Sequence, residues 1–483
     1  MEAIQTTPEA DITRQSSTTR RGSVSVLEVL TADGFGSGLI PIRATNTPAR
    51  LSPWMLSNGT GFETTELPYI HYFMTQFPND RWAAKLSHPI ATYLVMKAID
   101  QPILRHATVA VAALLASQES QKPLYTHDAD FCYLEHKQKT LHLVRQRVMK
   151  MDIDGYVAVA IAFLMMTEIG DPGARVHMNG LKSVLQHMEK NHRKNNATSH
   201  DLPVSPLYWL SWAVAIRLDV DHATLQGDPV LEPLPLTAEC ESVHQAWIAE
   251  VCQATPCSEG VQWGVAICTL RSLLHRAFYI ASKARQSRMS PQHTLPDEVA
   301  IQQLCIELEN DMTTWLSRPI IRQLAIEMSV IGDSVSTSPS SNCRTLDNSA
   351  YHFMMNEYRS TKLYLAFIAD PDPRPALPGS ERFDHALQLW RSFVAVHASD
   401  VGQLCNQVFD NNKVFQLVVC YLTFGEGGCP LESEWMLGLL RQYLPPDTDL
   451  SREQVLNIWE RYCGGLPPPC LNSFLERWRL DTK

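Results

Sequence analysis

No cysteine stands before Cys132, and nowhere in the chain do two cysteines form a C-x-x-C pair. The nearest neighbours are Cys252 with Cys257, Cys463 with Cys470 and Cys420 with Cys429; the twelve thiols are otherwise thinly spread. Zinc fingers and zinc clusters bring paired thiolates onto the metal, so that class of module has no place in this sequence. Residues 1 to 30 are polar and lack the apolar core of a secretory signal. A reducing compartment is expected, with the cysteines acting as small buried hydrophobes.

Long apolar runs are also missing. The most apolar stretch, Tyr156 to Met166, is far shorter than the roughly 20 residues that cross a bilayer, so no membrane association is expected. Positive charge is in deficit, with 41 Lys and Arg against 51 Asp and Glu, a net charge of −10 and a pI near 5.9. A protein that held DNA across its whole surface would be basic, so direct DNA contact here needs a local basic module. Arg20-Arg21 and the run from Lys190 to Lys194 are too short for a confident nuclear signal and suit solvated loops. Neither a series of alternating strands nor a fixed-period repeat is present.

What is present is a large apolar fraction, 45% hydrophobic against 19% charged, which favours a packed core over general disorder. At 483 residues, one large or two smaller domains are expected. Residues 1–60, rich in Ser, Thr, Pro and Gly, bury too little apolar surface to offset ordering entropy and read as a disordered tail. Residues 61–483 read as all-α, stacked antiparallel helices in one large helical domain. Helices are expected from Leu67 to Phe77, for a short stretch after Pro89, at 261–285, 298–315, 347–369, 382–399, 403–424, 431–443 and 452–463, and 207–218 reads as an apolar, Trp-rich stretch.

The stretch from Pro102 to Met188 organises the rest as four consecutive helices. Pro102 suits a first helical turn, and Leu104, Ala107, Val111, Leu114 and Leu115 fall on one face. The alanines between them admit a close neighbour. Phe131 to Met149 reads as a long amphipathic helix. Asp154 is placed to cap the next helix, Val157 to Met166, which is apolar all round and therefore expected to be buried on every side. Gly170-Asp171-Pro172-Gly173 then makes a turn before the last helix.

This order resembles the regulatory domain of fungal zinc-cluster transcription factors, the fungal-specific transcription factor domain. The residues that carry the resemblance are Leu104-Arg105-His106 with the Val/Ala/Leu series to Ala116, the apolar helix from Asp154 to Glu168, and His177 with Gly180-Leu181 and Val184-Leu185. They cover roughly residues 66 to 190 and are packing motifs. The resemblance implies a nuclear transcriptional regulator whose helical domain supports regulation, dimerisation and effector sensing. Regulators of this kind often accompany gene clusters for secondary metabolism. The family's zinc cluster is absent from this sequence, which implies DNA contact that is indirect or weak, through a protein partner or a homodimer, with a small-molecule effector as a further expected ligand.

Several groups invite a chemical reading, and each has a simpler structural one. His127, Asp128 and Asp130, with His136 further along, carry metal-ligand chemistry, but helix capping accounts for the aspartates. Asp152 and Asp154 are read as helix openers rather than paired catalytic carboxylates. Glu168 and His177 stand on successive helices, where a hydrogen bond between helices is favoured over acid–base work. Lys137, Lys139, Arg145, Arg147 and Lys150 read as a solvated face. The glycines of Asp33 to Gly38 and Gly425 to Gly428 match no phosphate-binding or nucleophile pattern. No catalytic, cofactor or metal residue is therefore assigned and no enzyme activity is expected. A helical interaction scaffold and an all-helical enzyme of the terpene-cyclase type stand as rival readings. The second lacks the Asp-rich motif such a cyclase uses.

Overall fold

The computed structural model describes residues 62–75, 84–118, 128–167, 172–195, 205–226, 228–234, 238–290, 294–323, 344–369, 376–398 and 411–424, with residues 292 and 325. Of these, 85% are helical and none lies in a strand; the helices form one helical domain, as the sequence pattern predicts. In chain order they are α1 (Leu67–Thr75), α2 (Ala84–Asp100), α3 (Pro102–Gln118), α4 (Asp128–Met149), α5 (Gly155–Met166), α6 (Pro172–Asn195), α7 (Pro206–Gln226), α8 (Ala238–Cys252), α9 (Glu259–Arg288), α10 (Leu295–Leu316), α11 (Arg344–Ala369), α12 (Glu381–Ala398) and α13 (Asn411–Phe424). The tail at 1–60 and the helices expected at 431–443 and 452–463 lie outside the described residues.

The apolar helix is where the pattern places it. Every side chain of α5 from Val157 to Met165 is buried, Ile161 being the most exposed at 7%. Asp154 caps it in an extended conformation (φ −138°, ψ −174°). Its Oδ1 accepts from the backbone N–H groups of Tyr156 (3.0 Å) and Val157 (3.2 Å), satisfying donors the helix itself cannot. Arg147, near the end of α4, donates to both Asp152 and Asp154 at 2.9 Å and so ties α4 to the start of α5. The buried alanines of α3 (Ala107, Ala110, Ala112, Ala113, Ala116) let α1, α2, α4 and α5 all pack against that one helix.

Two apolar clusters build the interior. One gathers α1 to α8 with the start of α9; the other gathers the end of α7, most of α9, and α10 to α13. Helix α9 belongs to both: Val261, Val265 and Cys268 face the first cluster, Leu270, Leu274 and Phe278 the second. The sequence pattern suggests an amphipathic helix here, and the structure corrects it, because α9 is buried around most of its circumference from Val261 to Ala284. Its buried polar residues mimic a solvated face but meet partners inside. Arg271 pairs with Glu357 of α11 at 2.8 Å. Thr269 and Ser272 donate back to the carbonyls of Val265 and Cys268. Helix α10 does behave as an amphipathic helix, with Ile301, Cys305, Leu308, Met312 and Trp315 inward. The Trp315 indole donates to the Ala266 carbonyl at 2.8 Å, tying α10 to α9. Pro89, expected near a helix start, lies inside α2.

Candidate functional site

The first turn of the described fold sets a carboxylate beneath two helices. Residues 63–66 turn into α1, and the Glu66 Oε2 atom accepts the Glu63 backbone N–H at 2.8 Å, half of a capping box. That bond aims the remaining oxygen, Oε1, inward, and Glu66 is only 1% exposed. His106, one turn into α3, and His136, in the first half of α4, come to the same place because α3 and α4 pack along one another. Their Nδ1 atoms are 3.1 Å apart, with ring centroids 5.0 Å apart and planes inclined by 61°. Glu66 Oε1 lies 3.9 Å from Nδ1 of His106 and 3.8 Å from Nδ1 of His136. Both distances exceed a hydrogen bond. Oε1 is buried and has no hydrogen-bond partner among the described residues.

The electrostatics follow from burial. It lowers the His106 imidazole to about 4, with His136 and Arg105 acting in the same direction. It lowers His136 as well, helped by Lys139. Glu66 is raised by burial, opposed by the Glu63 N–H and by Arg105, whose Nε is 3.8 Å from Oε1. At neutral pH both rings are therefore uncharged and present lone pairs. Cys132 stands one turn before His136, and burial pushes its thiol up to about 11, so it is protonated and inert. Among the described residues, Glu66, His106 and His136 are the group able to hold a metal: one ligand atom from each lies within 4.8 Å of the others.

The residues singled out from sequence are placed differently. Of the metal-ligand group, only His136 reaches this cluster. Asp130 is exposed on α4, and His127 with the Asp128 side chain lies outside the described residues. Asp154 opens α5 as expected, whereas Asp152 accepts from Arg147 and makes no cap bond to the helix. Glu168 lies outside the described residues, and His177 is half-buried on α6. Met178 and Leu181 beside it are core, but Gly180 faces open space, so that glycine has no packing role against the described residues. The basic face of α4 is largely engaged: Lys137 donates to the Tyr133 hydroxyl, Lys139 pairs with Glu135 at 2.8 Å, and Arg147 is held by the two aspartates. Arg145 and Lys150 are exposed.

A second polar centre went unread in the sequence. Asp219 of α7 and His275 of α9 are both fully buried, with Oδ2 and Nε2 2.8 Å apart. The same carboxylate accepts the backbone N–H groups of Val230 (2.8 Å) and Leu231 (2.7 Å), so it pins the irregular 228–234 segment to the helices. A carboxylate orienting a histidine is half of a nucleophile-activating triad. The other His275 nitrogen, Nδ1, reaches no hydrogen-bond partner among the described residues, so no hydroxyl or thiol there completes such a triad. The pair works as a clasp.

Comparison with known protein families, with characterised proteins and with solved structures returns no match for this chain. No helix among the described residues is long and apolar enough to cross a membrane.

Proposed function

We propose that this chain is a nuclear regulator of transcription for a fungal gene set, such as a secondary-metabolite cluster, acting through its helical domain and reaching promoters by way of a DNA-binding partner. The observation that supports the reading is the resemblance carried by Leu104 to Ala116, Asp154 to Met166 and His177 to Leu185. The apolar residues of those segments, Leu104, Ala107, Val157, Phe163, Leu181 and Leu185 among them, belong to one buried cluster. Packing motifs that build a common core suit a body that transmits and docks. The net charge of −10 favours recruitment by a partner over direct grip on a phosphate backbone.

Fusing the full chain to a heterologous DNA-binding domain tests this. Transcription of a reporter bearing that domain's sites is expected to rise or fall severalfold against the DNA-binding domain alone. An expressed, nuclear fusion that leaves the reporter unchanged would contradict the proposal. A scaffold without a role at promoters is the second reading. It is favoured by the outward apolar residues of α4, Phe131 at 70% and Leu134 at 53% exposure, which suit a protein partner.

A further inference from the structure

We propose that Glu66, His106 and His136 form a binding site for one divalent transition-metal ion of the zinc class. The inference rests on the geometry of the cluster and stands whether or not the chain acts at promoters.

Three observations converge. The first is an orphaned acceptor. Glu66 Oε1 is buried at the centre of the cluster with no hydrogen-bond partner among the described residues. Leaving a buried carboxylate oxygen unserved is costly, and native interiors rarely do so without an ion or water to meet it. The second is spacing. The three ligand atoms are 3.1, 3.8 and 3.9 Å apart. The point in their plane that is equidistant from all three lies about 2.1 Å from each, which matches the usual zinc–nitrogen and zinc–carboxylate bond lengths, so an ion there would sit in or close to the plane of the three atoms. The third is the donor set. Two neutral imidazoles and one carboxylate suit zinc, iron, cobalt or nickel, and do not suit calcium or magnesium, which take mostly oxygen.

The rival account is a plain hydrogen bond between the rings. A separation of 3.1 Å permits it, with one Nδ1–H donating to the other Nδ1. That bond serves the two nitrogens but leaves Oε1 without a hydrogen-bond donor among the described residues, its nearest cation there being the Arg105 Nε at 3.8 Å. An ion at the common centre serves all three atoms and needs both Nδ1 positions unprotonated, a state the buried neutral rings can adopt. Positive groups oppose it. Arg105 lies 3.8 Å from Oε1, and Lys139 acts on all three residues from further off. Lys139 is itself paired with Glu135 at 2.8 Å, and Glu63 adds a negative charge beside Glu66. The ligand set carries a single negative charge, so it holds a divalent ion as a net cation and favours a small anionic or water ligand in the remaining position. The bound ion would lock the turn at 63–66 onto α3 and α4.

The test uses the purified full-length chain, stripped with a chelator and dialysed. Titration with Zn²⁺ is expected to load about one ion per chain at this site and to raise the melting temperature by several degrees, because the ion binds the folded form alone. His136→Gln and Glu66→Gln should each weaken that uptake roughly 100-fold or more and abolish the thermal shift, while melting in chelator stays close to wild type. Co²⁺ gives a readout on the unaltered chain should a variant fold poorly. Nitrogen and oxygen ligands yield visible d–d bands without the intense near-ultraviolet band of a thiolate. Those bands from one Co²⁺ per chain support the site. No uptake by wild type, equal uptake by His136→Gln, or a thiolate-type spectrum would each overturn it.

Discussion

His244 is held between the indoles of Trp209 and Trp247, with ring centroids 5.4 and 6.4 Å away. Burial in that apolar slot lowers its imidazole to about 4, and Arg318 acts in the same direction. In the unfolded chain the ring titrates near ~6.5. Between those values the unfolded chain takes up a proton that the folded chain refuses. The contribution is intact above about pH 6.5 and is lost as pH falls towards 4, reaching about 2 kcal/mol at pH 5. His244→Gln is expected to be less stable than wild type at pH 7, and the gap should shrink by about that amount at pH 5. Denaturant melts at both pH values check this, and a constant gap would contradict it. The ring's role was not legible in the sequence, because its partner Trp209 stands on another helix. The Glu66, His106 and His136 cluster was hidden for the same reason. Thirty residues separate the two histidines. Within the sequence His136 could be weighed only with its neighbours along the chain, Asp128 and Asp130, whereas its companions in space come from α3 and from the turn before α1.

Two glycines show how an element's packing decides the sign of one substitution. Gly155 opens α5 where α7 crosses it, and a Cβ there would stand 2.5 Å from Leu207 Cβ and 3.3 Å from the Leu207 carbonyl carbon. Alanine gains about 1 kcal/mol of helix propensity, but backbone-borne atoms cannot rotate aside, and overpacking of this kind costs ~1–3 kcal/mol. Gly155→Ala is therefore expected to destabilise, while Gly180→Ala, with open space around its Cβ position, should gain up to about 1 kcal/mol. Thermal melts of the pair settle this; equal shifts would contradict the close approach of α5 and α7. At this scale α5 was fully legible, since an unbroken apolar run after a capping aspartate has only one reading. Helix α9 was not. Its Thr, Ser, Arg and His residues look solvated in one dimension, and only the positions of Glu357 and Asp219 on other helices reveal that Arg271 and His275 are buried in pairs.

Across the whole molecule, α7 and α9 join two apolar clusters into one helical body, and the segments on which the proposed regulatory reading rests lie in the first of them. All-α architecture was readable from periodicity alone. The division of the interior into two clusters was not, because it depends on which face of α9 meets which neighbour. Function stands further from the sequence still: packing motifs specify a core, and a core serves many roles. The central claim, a regulator recruited to promoters, is tested most directly by chromatin immunoprecipitation of the tagged protein expressed from its own locus. Recruitment registers there whether DNA contact is direct or through a partner. The account predicts enrichment at a confined set of promoters, with the neighbouring genes naming the pathway. A tagged protein found in the cytosol, with no promoter enriched above an untagged control, would contradict it.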